Sequence, residues 1–346
     1  MSAPDYRRSD SSPVSSRPSA RVWLQFSVGI LVTLLAFWFL ASKIDWRQFW
    51  IEVISIPVWV LALVVAVYWI SMVVRAACWQ TLLQRKVSLG QAVLALNEGY
   101  ILNNLLPFRL GELGRAVLLG RRSNLGTFYI LSTIVVERAF DMAIAVSLLL
   151  LVLPQIVQQG WVRVIALLLL LGITLGLLAL YLAGRYRAWL EGRMAAWSQH
   201  FAVIRWVQPI LQSLLDGFSV INRFQYFALS FGLLALSWLL AIVRDWVLLQ
   251  ELVAGAPVWW AALAISGANL GGALPSAAAS LGTFEAGAVS ALEQVGVASE
   301  KALAYALIVH VIHLISSSLI GAYALSREGK SLAKIVAELR STVVKR

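Results

Sequence analysis

Charge is scarce in this 346-residue chain: 13% of it is Asp, Glu, Lys or Arg, against 60% hydrophobic, and the mean hydropathy is +0.80. Soluble domains run near half apolar and about a quarter charged, so this chain cannot clothe a water-facing surface. Its long uncharged runs and 15 Trp point to a bilayer as solvent. Cysteine is almost missing, and Cys78 alone excludes an intramolecular disulfide. Three histidines leave little material for a zinc site, so no metal or other cofactor is expected. The sequence also lacks a Walker A loop and an HExxH helix, which argues against an intrinsic ATPase and a zinc hydrolase.

The charge that is present is segregated. Residues 1–21, 75–122, 184–225 and 326–346 hold 22 of the 28 bases but only 8 of the 17 acids. The positive-inside rule makes these segments cytoplasmic, with both termini on that side of a cytoplasmic (inner) membrane. A nucleic-acid role, the other reading of a basic chain, has no motif behind it and is not expected. The Ser/Pro/Arg-rich residues 1–20 read as a disordered cytoplasmic tail and 326–346 as a basic cytoplasmic tail able to touch anionic headgroups. Between them, residues 21–325 read as one transmembrane domain.

The fold class that follows is all-α, a polytopic helical membrane protein of about six to eight spans. Full spans are expected over 22–42, 57–79, 128–153, 164–183, 227–250 and 302–325, with an amphipathic stretch over 185–223 that places Trp189, Trp197 and Trp206 at the interface. Two stretches fit no straight lipid-facing helix. Residues 88–107 are broken by Asn97, Glu98, Asn103, Asn104 and Pro107, and 257–295 surround the core SGANLGGALPSAAASLGTFEAG. Both read as re-entrant or discontinuous segments, with Pro107, Gly111, Pro275 and Gly282 as hinges. They echo one another: Asn104-Leu105-Leu106-Pro107 then Gly111-Glu112, and Asn269-Leu270, Leu274-Pro275, then Gly282 and Glu285. Paired interruptions of this kind build mid-membrane cavities in inverted-repeat transporters. The plainer alternative is that small residues permit close helix packing.

Glu137, Arg138 and Asp141 lie in an otherwise apolar span, where each charge costs about 2.5 to 3.5 kcal/mol. They require partners or water, either in a polar cavity or in a structural network answered by Arg109 or Arg115. The element NNLLPFRLGELGR, residues 103–115, offers Asn103, Asn104, Arg109, Glu112 and Arg115. Its guanidinium groups could grip phosphate oxygens, with Glu112 as their counter-ion, or simply snorkel from a cytoplasmic cap. Arg244 and Asp245 read as a local ion pair. Glu285 has no sequence-local partner and ranks above them as a functional group. His310 and His313 share a helical face, where hydrogen bonding is favoured over metal binding.

Three elements in order, NNLLPFRLGELGR, VVERAFD at 135–141 and LPSAAASLGTFEAG at 274–287, resemble the lysylphosphatidylglycerol synthase transmembrane family of flippase-like membrane proteins, across roughly 20–325. The resemblance implies a helical domain that handles polar lipids in a cavity formed by discontinuous helices. It implies substrate contacts at Asn103, Asn104, Arg109, Glu112, Arg115, Glu137, Arg138, Asp141 and Glu285. Bifunctional members follow this region with a soluble aminoacyl-transfer domain of which this sequence shows nothing, so the resemblance does not imply that chemistry. The favoured expectation is a non-enzymatic lipid transporter or flippase for a polar lipid: an anionic phospholipid, a hopanoid or a glycan-linked lipid. The alternatives are a non-catalytic scaffold of a lipid or envelope biosynthesis complex and, with less support, a membrane-embedded lipid transferase. A homo-oligomer and a lipid-biosynthetic enzyme partner are both compatible with the sequence.

Overall fold

The computed structural model describes residues 31–36, 38–105, 110–152, 160–198, 202–273 and 278–327, and every described element is helical. Pro107, Arg109, Pro275, the predicted tail 1–20 and residues 328–346 of the predicted tail 326–346 lie outside the described residues. In chain order the helices are α1 (Leu31–Ala41), α2 (Trp46–Ser55), α3 (Val58–Leu82), α4 (Leu89–Leu105), α5 (Gly111–Ser123), α6 (Thr127–Val152) and α7 (Gly160–Arg185). There follow α8 (Arg187–Ser198), α9 (Ala202–Phe218), α10 (Phe224–Leu252), α11 (Val258–Ala273), α12 (Thr283–Glu293) and α13 (Ser299–Ser326).

Among the described residues four helices are long and apolar enough to cross a membrane: α3, α7 over Leu167–Arg185, α10 and α13. Helix α6 has 26 residues, so at about 1.5 Å per residue it matches them in length, but it carries the three mid-span charges. By contrast α4, α5, α11 and α12 have 17, 13, 16 and 11 residues, each short of the roughly 20 needed to span. They pair as two helical hairpins, α4 with α5 and α11 with α12. The two interrupted segments thus fold as discontinuous helix pairs.

Glycine sets how tightly each hairpin closes. A Cβ on Gly111 would sit 1.9 Å from the Gly99 carbonyl oxygen, and one on Gly287 2.2 Å from that of Gly267. Only a residue without a side chain lets those backbones touch. The second hairpin turns through Ala279, Ser280 and Gly282, all left-handed with φ of 60°, 54° and 82°.

The hairpins enter from opposite faces. Lys86, Asn124, Arg187, Asp216 and Arg223 gather at one end of the bundle, where α3 and α9 finish and α6, α8 and α10 begin. Helix α4 starts and α5 finishes at this basic end. At the other end Lys43 pairs with Glu293 at 3.5 Å, Lys301 approaches Glu52 at 3.9 Å, and Glu300 accepts from the Asp45 amide at 3.2 Å. That end receives α11 and releases α12. Helix α4 reaches the 3-10 turn Ala278–Ser280 of the opposite hairpin, so the tips meet, and α13 packs along both hairpins.

Among the described residues two large apolar cores stack along the bundle, beside a small cluster of Ile101, Leu102, Leu118 and Leu325. One joins α2, α11, α12, the start of α3, the end of α10 and the first half of α13; the other joins the end of α3 with α4, α5, α6 and the start of α10. Between them α3 and α10 are tied by reciprocal bonds, Ser71 Oγ to the Ser237 carbonyl at 3.0 Å and Ser237 Oγ to the Ser71 carbonyl at 3.2 Å.

Candidate functional site

A cavity of about 570 Å³ opens between the two cores, walled by α3, α6, α10, α11, α13 and the tips of both hairpins. Its charged lining comprises Arg75, Glu112, Arg138, Asp141, Arg244 and Asp245. Tyr68, Tyr100, Trp238, Phe284 and Tyr305 supply aromatic faces, and Asn103, Asn104 and Asn269 supply carboxamides. Met142 and Leu270 line it as well and are 56% and 46% exposed, which places an apolar rim between α6 and α11.

The charges are organised into two groups. In the larger, Arg138 lies 3.2 Å from Glu112 and 3.3 Å from Asp141, and Arg75 pairs with Asp141 and lies 3.4 Å from Glu137. Arg115 reaches Glu137 at 2.8 Å while lying 4.6 Å over the Trp79 ring, and Trp238 donates to Asp141 at 3.0 Å. Three guanidinium groups therefore meet three carboxylates, and the cluster balances in charge. In the smaller group Arg244 holds Asp245 at 2.6 Å and the Tyr305 hydroxyl donates to Asp245 at 2.9 Å.

Burial divides the larger cluster by role. Glu137 is fully buried and Arg115 2% exposed, so they lie behind the cavity wall and join α5 to α6. Glu112 and Arg138, with side chains 27% and 30% exposed, face the cavity. An ion pair that is partly wet can exchange its partner for a ligand at modest cost, whereas a dry one resists separation.

The chain's match to a known family runs over residues 26–321, under the description Lysylphosphatidylglycerol synthase TM region. The chain belongs to this family. No curated protein and no solved structure matches it. The charges assembled at the cavity are thus features of a lysylphosphatidylglycerol synthase transmembrane domain.

Within this family domain, the residues singled out from sequence fall into three positions. Asn103, Asn104, Glu112, Arg138 and Asp141 line the cavity; Arg115, Glu137 and Glu285 support it from behind; Arg109 lies outside the described residues. Asn103 also has a local task, because its Oδ1 accepts from the Gly111 amide at 2.8 Å and so caps α5 across the break. Asn104 donates to Ser317 and Ser318 on α13 at 3.2 and 3.1 Å. Gly111 serves close contact, while Gly282 supplies a left-handed φ at the start of α12.

Two expectations need correction. Glu112 is held by Arg138 rather than by Arg115, which Glu137 occupies. Glu285, read as having no sequence-local partner and ranked above Arg244, has a local partner in the Gly282 amide at 2.7 Å and a distant one in His310 Nδ1 at 2.6 Å. It ties α12 to α13 behind the wall, whereas Arg244 and Asp245 line the cavity. His313 lies 3.3 Å from the Tyr68 hydroxyl. Among the described residues no group of three His, Cys, Asp or Glu side chains is placed to hold a metal ion.

The residue missed from sequence is Arg75. It sits toward the basic end of α3, close to a basic loop, and reads as part of a topology signal. The fold turns it inward to answer Asp141 and Glu137.

Proposed function

We propose that the protein moves the headgroup of a polar lipid across the cytoplasmic membrane through this cavity, with both termini on the cytoplasmic side. The observation that carries the reading is a charged cavity with an apolar rim at Met142 and Leu270, in a chain whose outer helices are otherwise apolar. A headgroup can enter past the rim while its acyl chains stay in lipid. The guanidinium groups of Arg138 and Arg75 offset its desolvation when it carries phosphate. Glu112, released from Arg138, is available to a headgroup amine or hydroxyl. In this reading the protein acts as a transporter and not as an enzyme. The opposed hairpins, each bounded by a short helix end, supply the two elements that alternating exposure needs.

A phospholipid bearing a photoactivatable headgroup tests this. It should label peptides carrying Asn104 and Arg138 in preference to the lipid-facing wall of α7, and competition by unlabelled lipid should remove that label. Labelling confined to α7 and other outer surfaces would contradict the reading.

A further inference from the structure

A second, smaller cavity of about 420 Å³ lies at the basic end of the bundle, remote from the charged cluster. Its wall is built from the two central basic segments, with Lys86 from the α3–α4 link, Arg187 at the start of α8 and Arg223 at the start of α10. Asp216 is the acid facing them, and it is already committed to Arg187. Arg187 is held by Glu191 as well, at 2.6 Å, so three bases meet two acids and the positive charge left over lies with Lys86 and Arg223. Arg223 makes no side-chain ion pair among the described residues, and Lys86 has a Tyr129 ring 4.4 Å away in place of a carboxylate. Tyr129 is 6% exposed, and its hydroxyl has no hydrogen-bond partner among the described residues. The rim is conformationally fixed at a cost: Gln84 and Asn124, both in the wall, are non-glycine residues with φ of 55° and 53°.

Cations converging from three elements, with a buried unpaired hydroxyl among them, suit an oxyanion that accepts several hydrogen bonds at once. The basic ends of the helices mark the depth at which phospholipid phosphates lie. We propose that this cavity binds a single phosphate group, either that of an anionic lipid headgroup or free phosphate, and so pins α3, α8 and α10 together at the basic face. It is separate from the transport cavity and does not depend on the function proposed for that cavity.

Thermal unfolding of the full chain in detergent tests this, read by a thiol-reactive fluorophore at the buried Cys78. Phosphatidylglycerol in mixed micelles, or inorganic phosphate at constant ionic strength, is expected to raise the unfolding temperature of the wild type by mass action. A rise with phosphatidylglycerol alone assigns the site to lipid, and a rise with inorganic phosphate assigns it to the free anion. Lys86→Gln with Arg223→Gln, both exposed positions, should unfold as the wild type does without anion and lose most of the rise. Tyr129→Phe should also weaken the rise without lowering stability in the empty state. Glu112→Gln, in the other cavity, should keep the full rise. The proposal is overturned if neither anion shifts the wild type, or if the Lys86/Arg223 variant shifts as much as the wild type.

Discussion

Glu112 in the first turn of α5 and Arg138 in the middle of α6 meet at 3.2 Å on the cavity side of the charged cluster. Immediately behind them Arg115 and Glu137 meet at 2.8 Å with almost no exposure. The same two helices are thus joined twice, by a pair that can open and a pair that holds the helices while it does so.

The inner pair should dominate stability. Glu137→Gln leaves Arg115 buried without its counter-ion, and an expected loss of about 3 to 5 kcal/mol should appear as a lower unfolding temperature. Arg115→Met combined with Glu137→Leu removes both charges and should recover much of that loss. A double variant as unstable as Glu137→Gln would show that the pair does more than compensate itself.

The outer pair should be cheap to remove. Glu112→Gln is expected to cost at most about 1 kcal/mol, because both side chains are partly exposed. Any loss of lipid movement in this variant therefore cannot be blamed on unfolding, which the same melting measurement verifies.

Glycine substitutions should separate the hairpins from the outer surface. Gly111→Ala and Gly287→Ala drive a methyl into facing backbone and should destabilise by at least about 1 to 3 kcal/mol. At Gly172 on α7 nothing lies within 4 Å, so Gly172→Ala should be neutral or stabilise by up to about 1 kcal/mol. Equal effects at the two kinds of site would contradict the close hairpin packing.

The Asn103 cap predicts a graded response. Asn103→Ala removes the acceptor of the Gly111 amide and should cost about 1 kcal/mol, while Asn103→Asp should retain the bond. Amide exchange at the start of α5 is the direct readout, and it should speed up in the alanine variant alone.

The hairpins were legible because Gly, Asn and Pro interrupt otherwise apolar runs, and an interrupted run cannot face lipid with its backbone unpaired. Glu137, Arg138 and Asp141 were legible for a related reason, since three charges within five residues of a span demand partners. Which partners they take was not legible. Arg75 belongs to another helix and resembles any base near a membrane boundary, and only the crossing of α3 with α10 and α6 turns it toward Asp141. The aromatic lining from Tyr68, Trp238 and Tyr305 was hidden among many aromatic residues of a membrane chain, because interfacial and cavity-facing rings have the same composition. Glu285 misled because its capping bond to Gly282 is local, while its bond to His310 spans 25 residues and required α12 and α13 to be adjacent.

Lipid movement through the charged cavity is measured by the rate at which fluorescent anionic and zwitterionic phospholipids cross between leaflets of proteoliposomes, with and without a proton gradient. The comparison is between wild type and the folded variants Glu112→Gln and Arg138→Ala. Wild type should move at least one of these lipids faster than protein-free vesicles, and both variants should fall toward the protein-free rate while Gly172→Ala does not. Wild type no faster than empty vesicles for every lipid, or variants as fast as wild type, would contradict movement through this cavity.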